Sequence, residues 1–266
     1  MKKAMMVFGL VVGMASAQVD VSVAGLQVVD KGYKPEGEGE NKGKELRAFN
    51  WNSGSRVALL LESKGKSIVG LDERGSGITV FGDDLGTDFT KTKRRFSREG
   101  VNFGFVNLSD DGKALMMDIE AGGVPKKGAK NIILKGELLV SVASKSALKK
   151  SKVVDVKKGA KVVAGENTFE IEEAGKPDWG DDPMSISFTS SVNHKDFKNF
   201  IFYDADGKVI ESKRTSSGSM GIFGKKTYTV TFNLKKKVDK IILGLDEWTD
   251  LEVIKLPLDL KIGAGL

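Results

Sequence analysis

Three short acidic stretches hold the residues best placed to do chemistry. Phe81-Gly82-Asp83-Asp84-Leu85-Gly86-Thr87-Asp88 puts three carboxylates within six residues. Asp204-Ala205-Asp206-Gly207 begins as a calcium loop does, and Asp178, Asp181 and Asp182 form a third group. Calcium takes about six to eight oxygen ligands, which aspartate-rich loops supply. Asp83, Asp84, Asp88, Asp204 and Asp206 are therefore the candidate calcium ligands, and calcium is the one cofactor the sequence suggests. Lys208, Val209 and Ile210 follow the Asp204 group, without the distal glutamate of an EF-hand. Aspartate is also a good turn former, because its carboxylate caps nearby backbone N–H groups. That is the competing expectation at every one of these positions.

Asp178-Trp179-Gly180-Asp181-Asp182 combines an indole with flanking carboxylates in a segment that reads as a loop. An exposed indole face stacks on sugar rings, and the carboxylates can accept bonds from hydroxyls. Trp179, Asp178, Asp181 and Asp182, together with Trp248 near another strand end, are the candidate ligand-binding residues. Trp51, beside Phe49, reads instead as a core residue.

Several catalytic classes are excluded by composition. Cysteine is absent, so thiol nucleophiles, zinc–thiolate sites and disulfides cannot occur. His194 is the single histidine, so three-histidine zinc is impossible and a serine triad would have to be built on it. No Gly-x-Ser-x-Gly elbow partners it. Ser144-Lys145, Ser151-Lys152 and Ser212-Lys213 are adjacent pairs, not the Ser-x-x-Lys spacing of a helical nucleophile. Nothing in the sequence requires catalysis, although a distant pair of glycosidase carboxylates leaves no local signature.

The basic clusters Lys91-Thr92-Lys93-Arg94-Arg95, Lys149-Lys150 and Lys235-Lys236-Lys237 suit anionic polysaccharide or lipid head groups. They equally suit solvated turns and lysine-guarded strand edges. With 42 basic and 36 acidic residues, the formal charge of +6 describes a mixed surface, not a nucleic-acid footprint.

The N-terminal MKKAMMVFGLVVGMASA has the parts of a bacterial secretory signal peptide: two lysines, a short apolar run and Ala15-Ser16-Ala17 for cleavage. The run is too short to span a bilayer. The expected mature protein is periplasmic or extracellular, without a transmembrane anchor, and without the cysteine of a lipoprotein.

The elements that must position these residues are strands. Ile132, Leu134, Leu138, Val140 and Val142 recur at every second position, as do Met184, Ile186 and Phe188. Tyr228, Val230, Phe232 and Leu234 do the same, followed by Leu256, Leu258, Leu260 and Ile262. The continuous apolar run 57–61 predicts a strand covered on both faces. Asp111-Gly112 and Asp206-Gly207 are hairpin dipeptides.

The pattern predicts an all-β chain of two tandem antiparallel β-sandwich domains, immunoglobulin-like or related, after the signal peptide. The lysine-rich segment 145–161 reads as the crossing, giving 1–17 signal peptide, 18–148 domain 1 and 149–266 domain 2. A membrane barrel is disfavoured by lysines on both faces of 152–163. The echo of Ile68-Val69-Gly70-Leu71-Asp72-Glu73 in Ile242-Leu243-Gly244-Leu245-Asp246-Glu247 reads as chance. The expected role is non-enzymatic: binding or structural work in the cell envelope, with an envelope protein or polysaccharide as partner. The alternative is a carbohydrate-binding or carbohydrate-active accessory protein using a Trp179-centred site.

Overall fold

Alternation in the sequence becomes alternation in burial along the strands. A computed structural model describes residues 19–30, 32–33, 46–50, 53–92, 100–222 and 225–263. The signal segment, Trp51 and the Arg94-Arg95 pair lie outside the described residues. Among the described residues regular structure is strand, apart from 3-10 turns at Ala48–Asn50, Phe89–Lys91 and His194–Asp196. Among the described residues no helix is long and apolar enough to cross a membrane. The protein is all-β.

The strands in chain order are β1 (Val19–Val29), β2 (Gly32–Tyr33), β3 (Leu46–Arg47), β4 (Gly54–Ser63) and β5 (Ser67–Leu71). Next come β6 (Gly77–Asp83), β7 (Asn102–Leu108), β8 (Ala114–Ala121), β9 (Asn131–Ala143) and β10 (Ser146–Lys150). Then follow β11 (Val154–Asp155), β12 (Lys161–Ala164), β13 (Asn167–Gly175), β14 (Met184–Ser190) and β15 (Phe197–Tyr203). The last are β16 (Val209–Ile210), β17 (Ser212–Ile222), β18 (Lys225–Leu234), β19 (Lys240–Trp248) and β20 (Glu252–Gly263).

Two compact units result. The first takes in the described residues of Met1–Val142 and Glu252–Leu266, and the second is Ala143–Leu251. This differs from a division near 148, because β20 pairs with β9 along its whole length, from Glu252↔Val142 to Gly263↔Asn131. The apolar face of β20 (Leu256, Leu258, Ile262) is buried with that of β9, so the last strand belongs to the first core. The lysine-rich 145–161 segment is not a bare crossing either. Its Ser146–Lys150 and Val154–Asp155 strands both pair with β19 inside the second unit.

In the first unit the sheet β1-β4-β8-β7 and the sheet of β20, β9, β5 and β6 share one core. Val57, Leu59, Leu61, Leu115, Met117 and Ile119 come from one sheet, and Ile132, Leu134, Leu138 and Val140 from the other. The run 57–61 is covered unequally. Val57, Leu59 and Leu61 are buried, while Ala58 and Leu60 on the other face are only half-buried. Gly112 closes the β7–β8 hairpin at φ 68° and Gly207 the β15–β16 hairpin at φ 81°, the left-handed backbone that Asp-Gly turns supply.

In the second unit the five strands β12-β13-β14-β18-β17 form one sheet. The strands β10-β19-β15-β16, with β11 beside β19, form the other. Phenylalanines join the two: the rings of Phe202 and Phe232 stand 5.1 Å apart, Phe188 and Phe202 6.0 Å, and Phe169 and Phe197 5.8 Å. Asp250 ties the ends of this unit together. Its Oδ1 accepts from the backbone N–H of Ser144 (2.9 Å) and Lys145 (2.8 Å), and its Oδ2 from the Ser144 hydroxyl (2.6 Å).

The Ile-Gly-Leu echo separates on folding. Ile68 to Leu71 end β5 before a turn capped by Asp72, whereas the later copy runs unbroken through β19. Phe202 is fully buried between the sheets. Phe202→Ala should therefore cost about 3–5 kcal/mol in urea unfolding, against less than about 0.5 kcal/mol for the exposed Met220→Ala.

Candidate functional site

Three connections of the second unit converge at one end. They are the β13–β14 loop 176–183, the β15–β16 turn 204–208 and the β18–β19 turn 235–239. Register accounts for this, since Gly175 lies opposite Ser185 and Met184 opposite Leu234. Pro177 and Pro183 bracket the 176–183 loop, which fixes φ at both ends and lowers the entropy of ordering it. Gly180, at φ 92°, turns the chain directly after Trp179. Trp179 is 89% exposed. An indole left in water at a loop apex costs burial that a core position would have supplied.

The carboxylates around Trp179 divide into two kinds. Asp182 is structural: Lys235 Nζ lies 2.9 Å from its Oδ1, and Asn233 Nδ2 donates to its Oδ2 at 3.2 Å. The Lys235 bond holds the Asp182 carboxyl below the usual carboxylate range, with Asn233 adding to the effect. Asp178 and Asp181 are exposed, and among the described residues they make no hydrogen bond or ion pair. They stand free beside the indole.

A groove of about 380 Å³ opens between the feet of this loop, with Val156, Met184 and Val238 as its apolar floor and Lys176, Lys237 and Asp239 at its rim. A second groove of about 330 Å³ runs from the 204–206 turn to Lys236 and Lys240, and shares Val238 and Asp239 with the first. The Lys235-Lys236-Lys237 run is thus more than a solvated turn. Lys235 holds Asp182 and Lys236 Nζ reaches Asp204 Oδ2 at 2.9 Å, so one turn clasps both acidic loops.

Trp248 does not join Trp179. It ends β19 at the opposite end of the unit, opposite Ser146, half-buried and with Lys198 Nζ 5.6 Å from its ring. Asn167, which begins β13, bonds its neighbour Glu247, whereas Trp179 follows the end of β13. About 25 Å of strand therefore separates the two.

Four of the five calcium candidates are occupied by protein donors. Asp83 is buried; its Oδ1 accepts from the N–H of Leu85 (3.0 Å) and Thr87 (2.8 Å), and its Oδ2 from that of Lys126 (2.7 Å). Burial pushes the Asp83 carboxyl up, but the N–H groups of Lys126, Thr87 and Leu85 together outweigh it and leave it lowered. Asp84 accepts from Lys130 N–H (3.0 Å) and Asn131 Nδ2 (2.7 Å). Asp88 caps the Phe89–Lys91 turn through Thr90 N–H (2.9 Å) and the Thr90 hydroxyl (2.7 Å). Asp204 Oδ1 accepts from the N–H of Asp206 (3.1 Å) and Lys208 (3.0 Å), while Asp206 itself is exposed. Among the described residues no group of three or more acidic or histidine side chains is arranged to hold a metal. These aspartates act as turn caps.

His194 departs from the solvated loop residue that its sequence suggests. It is 9% exposed, its Nδ1 lacks a hydrogen-bond partner, and its ring stands edge-on to Tyr228 at 6.0 Å. Burial, helped by the charges of Arg214 and Lys195, lowers its pKa below the ordinary 6.5. Only its place just before the Phe197 strand, where a 3-10 turn folds it inward, decides this; the loop sequence carries no signal of it.

Comparison with family models, curated proteins and solved structures finds no match, so the functional reading rests on this geometry.

Two outcomes follow. Thermal melts in millimolar calcium and in chelator should coincide; a rise of several degrees with calcium would show a site the aspartates do not form. For His194, the unfolded chain takes up the proton first as pH falls below 6.5, so the stability of the neutral buried ring is present above that value and lost below it. Asp196, raised by burial and then by Glu247, works in the opposite sense and only in the carboxylate range. The melting temperature should therefore fall between pH 7.5 and 5.5, and His194→Gln should flatten that slope.

Proposed function

We propose that this chain is a secreted, non-catalytic binding protein of the bacterial cell envelope, built after a cleaved signal peptide of two β-sandwich modules of immunoglobulin-like kind, the second inserted before the last strand of the first. Its second module presents the Trp179 end to a ligand. The observation that carries this reading is the 89% exposure of Trp179, beside free Asp178 and Asp181 in a loop whose two feet line an apolar-floored groove. The bracketing prolines and the Asp182–Lys235 clasp support it, because a pre-ordered loop loses little entropy on binding.

Polysaccharide is the ligand class this arrangement favours. A flat indole stacks on the apolar face of a sugar ring, and free carboxylates accept from its hydroxyls. His194, buried at the other end of the unit beside Tyr228, takes no part in the proposed site. Trp248, at that same other end, has no part in the proposed site.

A glycan array probed with residues 18–266 tests the reading. Specific binding is expected, with loss of signal in Trp179→Ala at an unchanged melting temperature, and at least about ten-fold weaker binding in Asp178→Asn/Asp181→Asn. Binding unaffected by Trp179→Ala would place the ligand elsewhere, and a silent array would turn the reading toward an envelope protein as partner.

A further inference from the structure

The β17–β18 hairpin has a composition unlike the rest of the chain. Between Ser212 and Leu234 there is no aspartate or glutamate, and Lys213, Arg214, Lys225 and Lys226 are its only charges. Serine, threonine and glycine make up most of β17. Among the described residues β17 is also the end strand of its sheet, paired with β18 on one side only.

That edge is open. Natural sheets blunt their edges with prolines, charges, bulges or a covering element. Here a bulge at Thr215 and the Lys213-Arg214 pair protect only the beginning of the strand. Residues 216–222 then pair regularly with β18, without proline or charge. Every side chain from Lys213 to Gly221 is exposed, including Met220 at 66%. The hairpin also outruns its neighbour: β14 stops at Ser190, opposite Tyr228, while Met220↔Thr227 and Gly221↔Lys226 continue beyond it.

We propose that β17 is a docking edge for an extended acidic peptide segment, which pairs with it as a sixth strand. Main-chain hydrogen bonds supply affinity in strand addition, and side chains at alternate positions supply selectivity. The cations select the partner. Among the described residues Lys213, Arg214 and Lys226 form no ion pair, and Lys226 lies 5.3 Å from the Tyr228 ring. Lys213 acts on Asp182 through its charge alone, since that carboxylate is already bonded by Lys235 and Asn233. An incoming carboxylate at either end of the strand therefore meets a cation that holds no ion pair among the described residues. A second copy of this chain brings four further cations to the same edge, which repel it.

The test uses the full mature chain and a fluorescent twelve-residue peptide of alternating glutamate and valine. Three comparison probes accompany it: its lysine–valine counterpart, a version N-methylated at alternate residues, and dextran sulfate. The glutamate–valine peptide is expected to bind, more weakly as salt rises, and to slow amide exchange at β17. The lysine and N-methylated peptides are expected to fail. Lys213→Glu/Arg214→Glu/Lys226→Glu should weaken binding at least about ten-fold. Trp179→Ala should leave it unchanged, which separates this edge from the ligand end.

Four outcomes overturn the proposal. They are no binding, equal binding of the N-methylated peptide, dextran sulfate protecting the same amides as strongly as the peptide, and a β17-mediated dimer in sedimentation. If the triple variant fails to fold, the N-methylated comparison on the unaltered chain still decides.

Discussion

The pairing of β20 with β9 is the constraint on which the rest depends. Twelve rungs join Glu252–Gly263 to a strand more than a hundred residues earlier. Everything between Ala143 and Leu251 must form so that its two ends emerge side by side. The second unit meets this demand internally. Ser146 pairs with Trp248, and Asp250 caps the N–H groups of Ser144 and Lys145. An insertion whose ends are already adjacent adds little loop-closure entropy to the strand pairing that follows. Without that closure, Leu256, Leu258 and Ile262 would leave one flank of the first core exposed.

Carboxylates carry much of the remaining order. Asp83 reaches the backbone of Lys126, and Asp84 that of Lys130, so both pin the segment leading into β9. Asp182 and Asp204 do comparable work on the second unit through Lys235 and Lys236. A carboxylate surrounded by N–H donors is a finished structure, and a cation would have to displace those donors. The same residue type at Asp178 and Asp181 has no such donors among the described residues.

The second unit thereby acquires different surfaces. One end has a loop with an exposed indole, and the feet of that loop line a groove. Its side has the β17 edge, paired among the described residues on one side only. Its other end is closed by the buried imidazole of His194 and the half-buried ring of Trp248. The unit's core sets five phenylalanine rings among aliphatic side chains, and its connections lie at the surface.

The sequence by itself determined the class of fold and most of the inward faces. Period-two apolar runs have only one way to hide their side chains, so Ile132 to Val142, Met184 to Phe188 and Val230 to Leu234 were legible from spacing alone. The Asp-Gly turns were legible for the same local reason. Partnership was not legible, because it is set by residues distant in the chain. Only the tertiary structure decided that the last strand returns to the first unit, and that 145–161 contributes strands to the second. It alone decided that Trp179 and Trp248 part company and that His194 turns inward. It also separated two sets of aspartates that look alike in sequence: those that receive N–H donors from elsewhere in the fold and those that do not.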